Sequence, residues 1–481
     1  MHRRNVLTGL AALSVPGLGP RAQGPAAVGK ANALAPLLTF YQLLGGDDNA
    51  GTSALQRLRS PWSAAYAAPL IELFQFVPNP RVQAGIERLL REVTGRGFNS
   101  SLNDWYDWLW SRAAMEHPDY AEFKAYLYEN IDPTFREYFE APSGGKLKAL
   151  IRLDEIRWGG VRRDGIPPLK NPKMIAARDA RYLADSNIVF GTEINGDARA
   201  YPKRILAWHE MFKDTIGGRE VCGVYCTLCG SMVVYGSEVA GVHHELGTSG
   251  FLYRSNKLMY DHATKSMWST LEGAPVVGAL TGQGISLTTL TIVTTTWGEW
   301  RRQHPRTSVL ALDTGHQRDY AEGAAYRDYF STDRLMFTVP RLDPRLPNKA
   351  EVLAVRLDSR ATGERSASTA AGIPASGTRS EPLAISADFL LRHPVYHDRI
   401  GKTGFVVFTT KGGANRVYDD SGVKFTQWDG DAQATDSTGR VWRVTESALT
   451  TAEGERRARL PAHRAFWFGW AAQFPDTRLV K

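Results

Sequence analysis

The chain has few cysteines and no long apolar run, and each shortage excludes a class of protein. Only three cysteines, Cys222, Cys226 and Cys229, occur among its 481 residues. Because there is no second Cys-x2-Cys pair, a closed zinc site made of cysteines alone is excluded. No apolar run reaches the roughly 18 residues that a membrane-spanning helix needs. We therefore expect no transmembrane span and a soluble mature protein.

The chain also lacks the marks of nucleic-acid binding and of the common enzyme motifs. Its net charge of +8 arises from 58 basic and 50 acidic residues that are interspersed, without a Lys/Arg block. Nucleic-acid interfaces need clustered positive charge, so we expect no nucleic-acid partner. A glycine-rich phosphate loop, a Ser-His-Asp arrangement and a His-Glu-x-x-His motif are also not visible.

The N-terminus has the layout of an export signal. Arg3 and Arg4 precede a small apolar stretch at residues 10–15, and paired arginines suggest the twin-arginine route. We predict that residues 1–27 are the signal and that the protein is periplasmic or secreted. In such an oxidising compartment, an odd number of thiols leaves one unpaired or commits all of them to another use.

Periodicity divides the remaining chain into a helical and a β-rich part, which predicts an α+β protein. Residues 31–145 carry apolar residues at three- and four-residue spacing, the pattern of helices. Short β-branched runs separated by Gly, Pro, Asn and Asp follow and predict strands. We assign residues 150–345 to a first β unit and residues 346–481 to a second. A segment rich in Ala, Ser, Gly and Thr near 361–381 predicts a flexible insertion.

The two β units resemble degenerate copies of each other. Residues 209–217 align without a gap with residues 393–401, which places His209 on His393. In the same register, Cys222, Cys226 and Cys229 fall on Val406, Thr410 and Gly413, so the second unit has lost every thiol. The alignment resumes between residues 264–268 and 438–442, and between residues 297–307 and 467–477.

The spacing Cys222-x3-Cys226-x2-Cys229 matches an iron–sulfur motif of radical enzymes, but local structure argues against that use. Residues 221–225 have the composition of a strand. Four strand residues separate two side chains by about 13 Å, too far for ligands of one cluster. We therefore interpret Cys222 as a small core residue.

The remaining pair, Cys226 and Cys229, leaves three uses open. Two thiolates can bind a metal, close a reversible disulfide or form a structural bridge. A soft, open site of Cys, His and Met favours copper, with His209 and Met259 as the further ligands. Zinc is the alternative metal and would need His209 and one more residue.

Several segments of the chain resemble a known family. They are residues 164–173, 193–202, 208–210, 225–231, 249–256, 258–261, 267–269 and 296–300. Together they are similar to the bacterial and archaeal domain-of-unknown-function family 3179 (DUF3179), over about Leu153 to the C-terminus. The resemblance implies a shared site without an established reaction. Its residues would be Cys226, Cys229, His209, Glu210, Met259, Tyr260 and Asp261, while Cys222 has no counterpart.

These observations predict an exported metal-binding redox protein, with copper held by Cys226, Cys229, His209 and Met259. If it is an enzyme, Cys226, Cys229, Tyr260 and Asp261 are the catalytic candidates. Tyr225, Tyr260, Trp297 and Trp300 would line the centre. A thiol–disulfide oxidoreductase using Cys226 and Cys229 is one alternative, and a non-catalytic binding or scaffold protein with a structural disulfide is another. The partner, a small molecule or a redox protein, and the oligomeric state stay open.

Overall fold

The computed structural model describes residues 34–98, 101–141, 145–357 and 381–481. The predicted export signal and residues 361–380 of the predicted insertion lie outside these ranges. A helical region comes first and a β-rich region with several sheets follows, which confirms the predicted α+β class. No helix within the described ranges has both the length and the apolar character needed to cross a membrane.

The described residues of the helical region form six α-helices, and the longest of them has a cap at each end. In the longest helix, the Asn79 side chain accepts a hydrogen bond from the Arg81 N–H, Pro80 occupies the first turn, and Gly95 ends the helix in the left-handed conformation. The helices are α1 (Leu37–Tyr41), α2 (Asp48–Arg59), α3 (Ala67–Leu73), α4 (Pro80–Thr94), α5 (Leu102–Trp110) and α6 (Tyr120–Glu129). Short 3-10 helices span Ala64–Tyr66 and Pro133–Tyr138.

A buried polar cluster and an aromatic core join the helical region to the first sheet. The Lys124 ammonium donates to the Glu72 carboxylate at 2.5 Å and to the carbonyl oxygen of Ile156 at 3.0 Å. Phe251 of the sheet packs edge-on against Tyr128, with 4.9 Å between ring centroids. Because the Lys124–Glu72 pair is buried and has further hydrogen bonds, it fixes how the two regions dock.

The first part of the β-rich region forms three main sheets. Their strand orders are β1-β11-β12-β13-β14, β15-β8-β7-β6-β2 and β16-β4-β5-β17-β3, and β9 pairs with β10. The strands are β1 (Ile156–Trp158), β2 (Leu169–Lys170), β3 (Met174–Ala176), β4 (Ile188–Ile194), β5 (Asp197–Pro202), β6 (Met211–Ile216), β7 (Arg219–Cys226), β8 (Ser231–Gly236), β9 (Glu238–Val239), β10 (Val242–His243), β11 (Leu246–Tyr253), β12 (Asn256–Asp261), β13 (Met267–Ser269), β14 (Ala274–Val277), β15 (Thr289–Leu290), β16 (Val293–Thr296) and β17 (Ser308–Leu310). The helices here are α7 (Lys203–His209), α8 (Trp297–Gln303) and α9 (Arg327–Phe330).

In its described residues, the second part forms two sheets, ordered β28-β18-β19-β29 and β20-β21-β22-β27-β26-β25-β24-β23. The strands are β18 (Glu351–Val355), β19 (Leu383–Ser386), β20 (Val395–Ile400), β21 (Thr403–Thr409), β22 (Asn415–Asp419), β23 (Phe425–Trp428), β24 (Gln433–Asp436), β25 (Val441–Val444), β26 (Ala448–Thr450), β27 (Arg456–Leu460), β28 (Ala462–Phe466) and β29 (Arg478–Val480). The helices are α10 (Ala387–Arg392) and α11 (Trp467–Gln473).

Two of these sheets share their pairing pattern. In one, β16, β4 and β5 pair antiparallel and β17 joins β5 in parallel. In the other, β28, β18 and β19 pair antiparallel and β29 joins β19 in parallel. An equivalent buried hydrogen bond accompanies each sheet. The Trp300 indole donates to the Thr307 hydroxyl, and the Trp470 indole donates to the Thr477 hydroxyl, each at 2.9 Å.

Candidate functional site

Cys226 and Cys229 lie on the tight connection between β7 and β8, called here the thiol turn (residues 226–230). Cys226 is the last residue of β7 and pairs with Ser231 of β8. The Cys229 N–H donates to the Cys226 carbonyl at 3.1 Å, and Gly230 has a φ of 60°. Glycine takes this left-handed conformation without strain, so the chain can reverse within the turn and bring both sulfurs to one side.

The two sulfurs form a buried dithiol pair. Both cysteines are unpaired thiols, and only 2% of Cys226 and 1% of Cys229 is exposed. The Cys229 thiol lies 3.2 Å from the carbonyl oxygen of Ser255 and also hydrogen-bonds to Cys226.

Burial and hydrogen bonding act differently on the two thiols. Burial disfavours a thiolate at Cys226, but hydrogen bonds from the Cys229 thiol and from backbone groups of Lys257 and Cys229 hold its pKa below the ordinary value. Burial and the neighbouring Cys226 raise the pKa of Cys229 well above the ordinary value. Cys226 is therefore the thiol of the pair that ionises more readily, and Cys229 is the one that keeps its proton more firmly.

A buried carboxylate, Glu210, stands beside the thiol pair. Glu210 follows α7 with a φ of 56°, and its carbonyl accepts from the Tyr225 N–H at 2.9 Å. Its carboxylate receives Lys257 at 3.2 Å and the Tyr326 hydroxyl at 3.1 Å. Glu210, Lys257 and Cys226 line one small recess together with Thr227, Gly250 and Leu252, called here the thiol recess.

Lys257 and Tyr326 are site residues that the sequence reasoning missed. Lys257 is a buried charge on β12 among mainly apolar neighbours. A lysine in such a strand is a signal for a partner carboxylate. Tyr326 comes from the long segment after β17, whose path no local pattern indicates.

His209 lies next to Glu210 in sequence but is fully engaged elsewhere. Its Nδ1 is 3.0 Å from the Pro167 carbonyl and its Nε2 is 2.5 Å from the Tyr320 hydroxyl. A carbonyl only accepts, so Nδ1 carries the proton and Nε2 accepts from Tyr320. Burial lowers the pKa of His209 to about 4, so the ring is neutral at pH 7. A metal at Nε2 would have to displace Tyr320.

The other predicted site residues also have structural partners. Met259 is fully buried in an apolar cluster with Met211, Cys222 and Trp268. The Tyr260 hydroxyl donates to Asp164 at 2.6 Å. One Asp261 oxygen accepts from the backbone N–H groups of the turn that follows, and the other is 3.1 Å from His244.

The four aromatic residues expected around the centre lie in three different clusters, with Tyr225 in one, Tyr260 in another and the two tryptophans in a third. Trp297 and Trp300 lie in an apolar cluster with Val189 and Ala200, whereas the two cysteines belong to another cluster. Tyr225 precedes Cys226, so its side chain points to the opposite face of β7. Within the described ranges, no group of three or more His, Cys, Asp or Glu side chains is placed to hold a metal. The four-residue copper site stays a prediction.

The second part of the chain completes the cover of the thiol turn. The Phe466 N–H donates to the Cys229 carbonyl at 2.7 Å. A side chain at Gly469 would place its Cβ 3.0 Å from Cys229 Cβ and 3.2 Å from Cys229 Sγ. From the segment after β17, the Tyr329 hydroxyl donates to the Leu228 carbonyl at 2.7 Å. Residues far apart in sequence thus enclose the pair.

Fold and site together describe a β-rich protein built around a buried dithiol turn. Residues 163–477 match the model of the family described as "Protein of unknown function (DUF3179)". The match covers well over half of the chain, confirms the resemblance noted in the sequence, and shows that the chain belongs to this family. Comparison with curated proteins found no match, and comparison with solved structures found none either.

Proposed function

We propose that the chain is an exported thiol–disulfide oxidoreductase whose redox group is the Cys226–Cys229 pair. The observation that carries the proposal is a pair of adjacent thiols in which Cys226 has a lowered pKa. The thiolate is the reactive form of cysteine, and a second thiol within bonding reach can resolve a mixed disulfide. Cys222 lacks this support, because burial raises its pKa to about 12.

The reaction transfers two electrons between the dithiol and a substrate disulfide. The Cys226 thiolate attacks one substrate sulfur, which forms a mixed disulfide and releases the first substrate thiolate. Cys229 then loses its proton and attacks Cys226 Sγ, which closes the Cys226–Cys229 disulfide and releases the second substrate thiolate. The substrate disulfide is reduced and the protein dithiol is oxidised, and the reverse reaction oxidises a substrate dithiol. The small recess favours a small disulfide or a narrow chain segment.

Glu210 is the group assigned to accept the Cys229 proton. Its negative charge raises the pKa of both Cys226 and Cys229, so it acts on both sulfurs. Lys257 and Tyr326 hold the carboxylate in place. A buried carboxylate beside a thiol of raised pKa is suited to general-base work during the resolving step.

Copper binding is the second candidate, and it keeps the same two cysteines. Two adjacent sulfur donors, one of them with a lowered pKa, suit Cu(I). His209 would join such a site only by giving up its bond to Tyr320. Zinc has weaker support, because it prefers four protein ligands.

The proposed duplication of the β-rich region has support from two aligned aspartates that each bind one arginine and one tyrosine, although these partners come from different strands in the two parts. Asp214 accepts from Arg199 at 2.7 Å and from Tyr201 at 2.6 Å. The aligned Asp398 accepts from Arg478 at 2.8 Å and from Tyr396 at 2.6 Å. The shared strand order and the paired Trp–Thr bonds point the same way. Under this proposal, a single β unit was copied and only the first copy carries the dithiol.

The deciding experiment is a redox titration of the folded protein beside metal analysis. Protein purified without chelators is equilibrated in glutathione buffers of graded potential, and its free thiols are counted. We expect a reversible couple that removes two thiols, disappears in Cys226→Ser and Cys229→Ser, and survives in Cys222→Ser. A pair that stays oxidised in every buffer and whose loss lowers the melting temperature would support the structural-bridge alternative. One copper per chain, lost in the double variant, would support the metal candidate.

A further inference from the structure

A second cleft lies between the two parts of the β-rich region, on the face of β7 that Tyr225 occupies. Phe190, Tyr225 and Thr294 line it from the first part, and Arg464 and Phe466 line it from the second. Neither Cys226 nor Cys229 lines this cleft, which is called here the Lys203 cleft after the cation at its edge.

Within the described ranges, no carboxylate forms an ion pair with Lys203, although Glu351 and Glu322 act on its charge from a distance. Its Nζ lies 4.7 Å from the centre of the Phe330 ring, and within those ranges it has no ion pair and no hydrogen bond. Burial lowers its pKa from the usual value, while the charges of Glu351 and Glu322 oppose that effect. A partly buried ammonium without a counter-ion is costly unless a ligand supplies one.

The other charged groups of the cleft are already satisfied. The Arg464 guanidinium forms an ion pair with Glu351 and donates to Asn415 at 2.9 Å. Glu351 and Arg464 therefore cancel each other, and Lys203 leaves the cleft with one net positive charge.

Two hydroxyl groups add free donors beside this charge. Tyr225 is 1% exposed, and its hydroxyl has no partner within the described ranges. Its ring packs on Phe190, with 4.9 Å between centroids, so the ring belongs to the cleft wall. Thr294 is half-buried and lies beside Phe190 across the β16–β4 pair. Buried polar groups in folded proteins normally have partners, so the empty Tyr225 hydroxyl points to a ligand.

We propose that the Lys203 cleft binds a small organic anion through its carboxylate group. The Lys203 ammonium neutralises the carboxylate, the Tyr225 and Thr294 hydroxyls donate hydrogen bonds to it, and the aromatic side chains of Phe190 and Phe466 receive its apolar body. A single uncompensated cation matches a singly charged carboxylate. A phosphate group would bring a second negative charge without a partner.

The test is calorimetric titration of the full-length protein with benzoate, with inorganic phosphate as the comparison probe at equal ionic strength. We expect saturable one-to-one binding of benzoate and weaker binding of phosphate. Because a hydrogen bond or ion pair to a charged ligand is strong, Lys203→Met and Tyr225→Phe should each weaken benzoate binding about tenfold or more. Lys173→Met, which removes the same charge from an exposed pair with Asp313, is the matched control and should bind normally.

The outcomes separate this inference from the proposed thiol chemistry. Cys226→Ser should bind benzoate as the wild type does, so either proposal can fail alone. Benzoate heats that do not saturate, or an unchanged affinity in folded Lys203→Met, would overturn the proposal. Phosphate binding that is tighter than benzoate binding and depends on Lys203 would overturn the assignment to carboxylates.

Discussion

The thiol turn between β7 and β8 and the turn between β21 and β22 are the same kind of connection with different chemistry. The first carries Cys226 and Cys229, and the second carries Thr410 and Gly413 at the aligned positions. Both turns reach the opposite part of the chain. Cys229 meets Gly469 of α11, and the Thr410 hydroxyl donates to Glu299 of α8 at 3.0 Å.

This difference shows how two similar strand connections can carry thiols in one case and an ionic contact in the other. Gly469 aligns with Glu299. Because Gly469 has no side chain, α11 leaves room for the Cys229 sulfur at this position. The second turn faces a carboxylate that Arg416 approaches to 3.6 Å. On the side of α11, Gly469 therefore leaves space beside Cys229, whereas Glu299 of α8 makes ionic and hydrogen-bonded contacts beside the second turn.

The largest expected effect comes from changing the two turns in parallel. Cys226→Ser should abolish the two-thiol redox couple, because serine cannot form the disulfide. Thr410→Ser keeps the hydroxyl that bonds to Glu299 and should leave the couple unchanged. Thiol counting in glutathione buffers measures both variants. A couple that survives in Cys226→Ser would remove the distinction between the turns.

Glu210 provides the second test, because Pro394 stands at its aligned position. Glu210→Gln leaves Lys257 buried without its carboxylate, and losing one partner of a buried ion pair costs about 3 kcal/mol or more. Urea unfolding measures this loss. The double variant Glu210→Gln/Lys257→Met should recover much of the lost free energy of unfolding, since Pro394, at the position aligned with Glu210, forms no ion pair.

The same variant tests the assigned role of Glu210 in thiol chemistry. Without the negative charge, the pKa of Cys226 should fall further, because Glu210 raises it. The pH profile of iodoacetamide alkylation should then shift to lower pH, with Glu210→Asp close to the wild type. An unshifted alkylation profile would mean that the Glu210 carboxylate does not influence the ionisation of Cys226.

The aligned histidines His209 and His393 give the third test. His209 is fully buried, whereas His393 is exposed. The pKa of His209 falls to about 4 on folding, so its contribution to stability is complete above the unfolded pKa of about 6.5 and is lost as the pH falls towards 4. His209→Gln should therefore flatten the decline in the free energy of unfolding between pH 6.5 and 4 by about 3 kcal/mol.

The controls for this pH test lie elsewhere in the chain. His393→Gln should leave the pH dependence of the unfolding free energy unchanged. His304 and His463, whose pKa values burial also lowers to about 4, keep the remaining acid sensitivity in both variants. Equal effects of the two substitutions would contradict different roles for the aligned histidines.

Local pattern predicted the helical part, the β-rich part and the strand that separates Cys222 from Cys226. These features depend on the spacing of side chains, which short segments encode. The family resemblance also singled out Glu210 and the Cys-x2-Cys pair. The prediction that a helical region is followed by a β-rich region was also correct, because helices and strands differ in the spacing of their apolar residues.

Long-range contacts account for what the sequence could not supply. The spacing of His209 from the cysteines suggested a shared site, but α7 directs its ring to Pro167 and Tyr320 instead. Lys257 and Gly469 reach the thiols only through the pairing of distant strands and the docking of α11. Such contacts are set by the packing of whole sheets, which no local spacing expresses.

Gly469 offers the finest test of the comparison between the turns. Ala is favoured over Gly inside a helix by about 1 kcal/mol, so Gly469→Ala has two opposing effects. The new methyl would lie 3.0 Å from Cys229 Cβ and 3.2 Å from Cys229 Sγ, so the neighbouring side chain must shift by a few tenths of an ångström.

We expect the free energy of unfolding of Gly469→Ala to differ from that of the wild type by less than about 1 kcal/mol. Disulfide closure in stopped-flow oxidation should slow severalfold, because the Cys229 sulfur loses room to rotate. The matched change is Ala471→Gly in the same helix, whose side chain packs in a different cluster from Cys226 and Cys229, and it should leave the closure rate unaltered. A rate that is equal in Gly469→Ala and the wild type would mean that the missing side chain on α11 has no part in keeping the first turn reactive.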